Sequence, residues 1–246
     1  MLFGAKPPTI EWEVSTNIGK RPVNEDSVLA IRDGDKFLFV VADGLGGHGM
    51  GKDASSLIVE VFRNEFVELS NCSSFLDHAF NKAQQAVLKS QKERRLHNQM
   101  KTTAAALVIN KWKFAYGHIG DTRVYLYKNR RLLFRTLDHS VPQMLALSGE
   151  INQDEIGTHP DRSRLLYVIG DNWSEPKYEI SNQINIRRGM AFFLATDGVW
   201  EVESNPAPEE GFTSDLWIRS IIGKVHNECK SSDDFDNFSA IAVMVR

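Results

Sequence analysis

Several carboxylates in this chain stand where an apolar, strand-like run begins or ends. Val41-Ala42 runs into Asp43-Gly44, Ala195-Thr196 into Asp197-Gly198, and Ile119-Gly120 into Asp121. Asp236 comes just before a last apolar run, in Asp236-Asn237-Phe238-Ser239, and Glu25 just before an early one. A carboxylate at the end of a buried strand is costly unless a hard cation or a basic side chain meets it. Each acid alone has an ordinary explanation, since Asp-Gly is a common turn. Brought to one sheet edge, however, several like charges cannot all stay ionised without cations. Oxygen-only ligation without cysteine suits Mg2+ or Mn2+ rather than structural zinc. None of the seven histidines has a metal-ligand spacing such as H-E-x-x-H.

The elements that must position these acids can be read from periodicity. Residues 10–16 alternate apolar and polar, 26–32 resume strand character, and Asp33-Gly34-Asp35 turns the chain into a buried strand at 36–42. Helical spacing of apolar residues covers about 53–69 and 75–97. Four short strands are expected at 103–109, 111–119, 123–128 and 132–137, with tight turns at Asn110-Lys111 and Asn129-Arg130. A short helix at 141–147 leads into a polar, irregular stretch, about 148–164, of a length usually functional or mobile. Strands follow at 165–169, 177–184 and 190–195, then a helix at 213–229 and a closing strand at 239–245. Segregated strands and helices predict an α+β fold of two antiparallel sheets packed face to face, with helix pairs outside.

Gly44, Gly46 and Gly49 also fit G-x-G-x-x-G between a strand and a helix, the dinucleotide-binding fingerprint. Asp43 would then sit against a pyrophosphate, and a helix rather than a second parallel strand follows the first helix, so that reading is set aside.

Bulk properties exclude other classes. The 246 residues are 42% hydrophobic and 25% charged with net charge -3, which fits one globular domain and lacks the basic face of a nucleic-acid binder. The basic clusters Lys92-Arg94-Arg95 and Lys128-Arg130-Arg131 read as solvated helix and hairpin surface. Cys72 and Cys229 are far apart and suggest neither a disulfide framework nor a zinc site. The first residues do not read as a signal peptide, and no run approaches a membrane span. The expectation is a soluble cytoplasmic monomer, with one domain over 1–246 and no membrane or nucleic-acid partner.

Six motifs occur in order: Arg21-Pro22-Val23-Asn24-Glu25-Asp26-Ser27, Val41-Ala42-Asp43-Gly44-Leu45-Gly46-Gly47-His48, Gly120-Asp121-Thr122-Arg123-Val124-Tyr125, Asp138-His139-Ser140, Ala195-Thr196-Asp197-Gly198-Val199-Trp200 and Asp236-Asn237-Phe238-Ser239. In this set the chain resembles the metal-dependent serine/threonine protein phosphatases of type 2C, in their compact bacterial form, from about residue 12 to the C-terminus.

The resemblance implies a four-layer αββα sandwich and a centre of two Mn2+ or Mg2+ ions. Asp43 would bridge the metals, the Gly44 carbonyl would ligate one, and Asp197 and Asp236 would hold the other. Glu25 would contact the site through water, and Asp121 matches the position of a third, weaker ion. Arg21 would clamp the substrate phosphate, and 148–164 matches a variable flap. A metal-bridging hydroxide would attack phosphorus in line, with His48 as candidate general acid. Histidine directly follows the Asp-Gly pair in some relatives, whereas Leu45-Gly46-Gly47 intervene here. Asn24, Asp26 and Asn237 would orient the ligands, and Glu201 is left out because some relatives carry an aspartate ligand there. Arg123 and Arg162 are expected to make surface or structural pairs. The implied partners are a phosphorylated protein and a Ser/Thr kinase that the phosphatase opposes. A catalytically silent relative would have lost metal carboxylates, and none is lost.

Overall fold

A computed structural model of the chain describes residues 8–46, 50–96 and 98–246. The first half runs β1 (Ile10–Asn17), β2 (Ser27–Asp33), β3 (Lys36–Ala42), β4 (Gly44–Leu45), α1 (Met50–Glu65), a 3-10 turn at Phe66–Glu68, and α2 (Cys72–Arg94). It continues through β5 (Lys101–Thr102), β6 (Ala104–Asn110), β7 (Lys113–Ile119), β8 (Arg123–Lys128), β9 (Arg131–Arg135) and α3 (Val141–Ser148). A 3-10 helix at Gln153–Thr158 precedes β10 (Glu179–Ile180), β11 (Ile184–Asn185), β12 (Met190–Ala195), α4 (Asp197–Trp200), α5 (Ser214–Ser231) and β13 (Phe238–Val245).

Two large antiparallel sheets form, in the orders β1-β13-β12-β8-β9 and β10-β7-β6-β3-β2, with β11 also on β7, and β4 pairs with β5 in a small third one. The central strands are mostly apolar because both of their faces are covered. On β3, Phe37, Phe39 and Val41 face the space between the sheets and meet Phe192, Leu194, Ile241 and Val243. The alternate residues Leu38, Val40 and Ala42 pack with Ile58 and Phe62 of α1 and Phe80 of α2. The outer face of the other sheet, Tyr125, Tyr127 and Phe193, packs on Trp217, Ile221 and Val225 of α5. This is the four-layer α+β sandwich, with one long helix, α5, and the short α3 and α4 on the side opposite the α1–α2 pair.

α1 leads directly to α2, and β3 pairs antiparallel with both β2 and β6, so the glycine-rich stretch opens no βαβ unit. Three expected elements differ. The strand expected at 177–184 is interrupted, leaving β10 and β11 as separate two-residue strands on β7. Residues 165–169 form no strand, only single bridges from Leu165 to Ser140 and from Ile169 to Thr102, because their backbone ties two neighbours together. The stretch 148–164 is less irregular than its composition suggests. Gly149, at φ 81°, ends α3, and a capping box of Asn152 and Glu155 starts the 3-10 helix, which anchors Ile156 in the third core.

Phe62 is fully buried and meets the Phe80 ring edge-on at 5.1 Å. Phe62→Ala is expected to cost about 3–5 kcal/mol of stability, the range for emptying an aromatic core site. Urea unfolding checks this, and a loss below about 1 kcal/mol would contradict the packing.

Candidate metal centre

Antiparallel pairing decides where the acids go, because the C-terminal end of one strand lies beside the N-terminal end of the next. Ala42 at the end of β3 pairs with Ser27 at the start of β2, and Ala195 at the end of β12 pairs with Ala240 near the start of β13. Ile119 at the end of β7 pairs with Ala104 at the start of β6. Acids that follow β3, β7 and β12, or precede β2 and β13, therefore emerge at one end of the sandwich. A cavity of about 570 Å³ opens there, and Arg21, Glu25, Asp43, Gly44, Asp197 and Asp236 are on its wall.

Each carboxylate is held by its backbone surroundings. The Asp43 carbonyl accepts from the Thr103 N–H at 2.9 Å and the Thr102 hydroxyl at 2.7 Å. Gly44 is required beside it, since a Cβ there would lie 2.2 Å from the Gly51 carbonyl oxygen and 2.7 Å from that of Glu25. Asp197 opens α4, and one of its oxygens accepts from the Gly198 N–H at 2.7 Å. Asp236 accepts from the Asn237 N–H at 2.8 Å, and the Arg21 guanidinium forks onto both its oxygens at 3.2 and 3.1 Å. Asn237 fastens the rim. Its side-chain Oδ1 accepts from the Glu25 N–H, and its side-chain Nδ2 donates to the carbonyls of Ile18 and Val23.

The electrostatics are those of crowded acids. Burial, then the charges of Asp197, Asp26, Asp121 and Asp236, pushes Asp43 well above the ordinary carboxylate range. Burial, then Asp121, Asp236 and Glu201, does the same to Asp197. Burial raises Asp26 and Asp121 to about 7, and raises Glu25 as well. One oxygen of Asp26, Oδ1, is buried with no hydrogen-bond partner, while the other accepts from Thr196. The acids line the cavity wall rather than meeting at a point, and no three of them bring carboxylate oxygens within 4.8 Å among the described residues. An all-oxygen set whose charges repel one another unless neutralised fits a pair of hard divalent cations.

Not every expected site residue is on the cavity wall. Asp121 is buried beneath it, where its carbonyl accepts from the Trp200 indole N–H at 3.0 Å. His48 lies outside the described residues. Arg123 is buried in a bidentate pair with Asp138 at 2.8 and 2.6 Å, and its guanidinium stacks 3.4 Å from the Trp200 ring centroid. Arg162 pairs with Glu201 at 3.0 Å across an adjoining groove of about 510 Å³ that shares Arg21, Ser163, Asp197 and Asp236 with the cavity. Glu201, set aside in the sequence, lines that groove beside Asp197, and Ser163, which sequence reasoning did not single out, lines both the groove and the cavity. The signal for Glu201 was its spacing of four from Asp197, which counts only once 197–200 is known to be a helical turn.

Among curated proteins, the chain is 29% identical over 241 residues to the serine/threonine phosphatase stp of Listeria monocytogenes, covering 94% of each chain. It is 28% identical over 208 residues to the serine/threonine protein phosphatase PstP of Mycobacterium tuberculosis, covering 84% of this chain but only 38% of that protein. The crystal structure of the PstP catalytic domain in complex with two manganese ions has a TM-score of 0.79 at 22% identity, covering 96% of this chain and 98% of that one, which shows the fold. A family profile for protein phosphatase 2C matches residues 15–229, most of the length, and the chain belongs to that family.

Proposed function

We propose that this chain is a metal-dependent phosphoprotein phosphatase that hydrolyses phosphoserine and phosphothreonine esters and opposes a Ser/Thr kinase. The observation that carries the reading is the convergence of Asp43, Asp197 and Asp236 on one cavity with the Arg21 fork on its rim. Family membership and the two manganese ions in the PstP catalytic domain support it. Asp43, the Gly44 carbonyl, Asp197 and Asp236 would hold two Mn2+ or Mg2+ ions, with Glu25 acting through water and Asp121 reserved for a weaker third ion. When bound, the ions supply a hydroxide nucleophile near neutral pH and offset charge on the phosphoryl oxygens.

The chain's own groups do the positioning. Arg21 is half exposed and already makes a two-pronged contact with a carboxylate, the geometry that also grips two phosphate oxygens. The Gly198 and Asn237 N–H groups each hold one oxygen of Asp197 and Asp236, which fixes the rotamers that present the others. His48 remains the candidate that gives the leaving alkoxide its proton.

Mn2+-dependent release of phosphate from a phosphothreonine peptide, abolished in Asp43→Ala, tests the reading. No turnover with metal, or turnover untouched by that substitution, would sink it. Comparing phosphoproteins labelled by Ser/Thr kinases with and without the active protein tests the kinase opposition. Arg21→Ala is expected to raise KM for the phosphopeptide about tenfold or more, the 1.5–3 kcal/mol of a charge-assisted contact, with a smaller change in kcat. An unchanged KM would remove Arg21 from the phosphate.

Linkage gives a further expectation. Asp26 and Asp121, raised to about 7, and Asp43 and Asp197, raised well above the ordinary carboxylate range, bind more protons folded than unfolded when no metal is present. Their contribution to metal-free stability therefore falls as pH rises from about 4 through 7. Cations replace those protons, so the rise in Tm on adding Mn2+ should grow between pH 5 and 7.5. A Tm shift independent of pH would mean that these acids are not the ligands.

A further inference from the structure

A second set of metal-capable side chains lies apart from the acidic cavity. His118 near the end of β7, His139 between β9 and α3, and Glu179 on β10 each offer one donor atom, and the three atoms lie within 4.8 Å of one another. The register makes Glu179 the cross-strand partner of His118, so both project from the same face of the sheet. His139 is locked by its backbone, whose N–H donates to the Gly120 carbonyl at 2.9 Å and whose carbonyl accepts from Leu166 at 2.7 Å. Its ring lies 4.6 Å from that of His118, tilted by 36°.

Two details point to a ligand. The Nε2 of His118 lies 2.8 Å from the Leu137 carbonyl and must donate to it, so Nδ1 carries the lone pair. That Nδ1 is buried with no hydrogen-bond partner. A carbonyl that fixes the tautomer through one nitrogen while the other is left free is the usual support of a metal-binding imidazole. The second detail is the separation of His139 Nε2 from the Glu179 carboxylate, 3.5 Å. That is long for a hydrogen bond. It is close to the edge of a tetrahedron with bonds of about 2.0–2.1 Å, which is roughly 3.3–3.4 Å.

We propose that His118, His139 and Glu179 form a second metal site, two imidazoles and a carboxylate with an open fourth position, for Zn2+ or a similar nitrogen-preferring transition ion. Imidazole donors separate it in selectivity from the oxygen-only cavity. Burial lowers both histidines to about 4, so both are neutral near pH 7 and no proton competes with an ion. Glu179 is exposed and leaves the site open to solvent for entry and for a water ligand. Binding through His139 Nε2 moves the ring proton to Nδ1. That gives up the long acceptance from the Gly120 N–H at 3.3 Å, leaving that N–H facing a second donor, and replaces the Nε2–H contact with Glu179, a cost the metal bonds must exceed.

Cobalt reads the site directly, since Co2+ absorbs strongly in the visible at a four-coordinate site with imidazole ligands and weakly in six-coordinate oxygen. Metal-free Asp43→Ala/Asp197→Asn protein, with its cavity disabled, is titrated with Co2+ and then with Zn2+. The expected result is one equivalent of strongly absorbing Co2+, displaced by Zn2+, and lost in the same protein carrying His139→Ala. Because His139 is buried, Glu179→Gln serves as the second variant. It should keep its Tm and circular dichroism and bind both ions at least tenfold more weakly. No intense band in the cavity-disabled protein, or unchanged affinity in folded Glu179→Gln, overturns the site.

Discussion

Replacing Asp197 by asparagine is expected to cut Mn2+-supported phosphopeptide hydrolysis far more than the roughly 10–100-fold that loss of a supporting partner costs a metal site. Asparagine keeps the shape and can still accept the Gly198 N–H bond, now 2.7 Å. What it removes is one negative charge from a set that repels itself, since Asp121, Asp236 and Glu201 all push the Asp197 carboxyl toward protonation. The two consequences have opposite sign. Metal affinity and rate fall, while the metal-free protein should become more stable at pH 7 than the wild type, because the buried Asp197 carboxyl is either repelled or protonated at a cost on folding and asparagine is neither. Steady-state kinetics at saturating Mn2+ and thermal unfolding in chelator separate this outcome from simple misfolding. Near-wild-type turnover would take Asp197 out of the centre, and lower metal-free stability would point to a structural role.

Gly198→Ala should also disable the protein, for a steric reason. A Cβ at Gly198 would lie 2.2 Å from the Asn237 carbonyl oxygen and 3.1 Å from its carbon, both backbone atoms with no flexible end to swing aside. The start of α4 and the segment leading into β13 must then separate. Those two segments carry Asp197 and Asp236 one residue from the clash, so the methyl group changes the spacing of the two proposed ligands without touching either. An overpacking cost of about 1–3 kcal/mol is expected, together with a loss of Mn2+ affinity and activity of about 10–100-fold. Gly223→Ala on α5 is the control, since its added methyl meets nothing within 4 Å and alanine favours a helix. Wild-type metal affinity in Gly198→Ala would mean that the two segments can part without moving the carboxylates.

Much of the site was legible because its logic is that of strand ends. A buried strand followed at once by Asp-Gly is conspicuous, and antiparallel pairing then sends Asp43, Asp197 and Asp236 to the same end of the sandwich. The sheets were legible for a related reason, since the covered strand β12 is apolar at every position and β3 at all but Lys36. The less visible parts depend on tertiary contacts. Thr196 looks like the last residue of a strand before a turn, but its hydroxyl is spent on Ser239 and Asp26 while the next residue begins a helical turn. That turn brings Glu201 close enough for its charge to reach Asp197 and Asp121. Asp121 shares the pattern of the other acids yet lies below the cavity, because the Trp200 indole, packed on the buried Arg123–Asp138 pair, holds its carbonyl. Residues 165–169 have strand composition but no strand neighbour of sufficient length, so they settle as single bridges.

The central claim is that Asp43, Asp197 and Asp236 together hold a pair of divalent ions. Anomalous diffraction at the manganese edge, from crystals grown with Mn2+, tests it most directly. The account predicts two peaks about 3.5–4 Å apart in the cavity, with an Asp43 oxygen against both and oxygens of Asp197 and Asp236 against one. A cavity with no anomalous density at saturating Mn2+, or ions bound away from these three carboxylates, would contradict it.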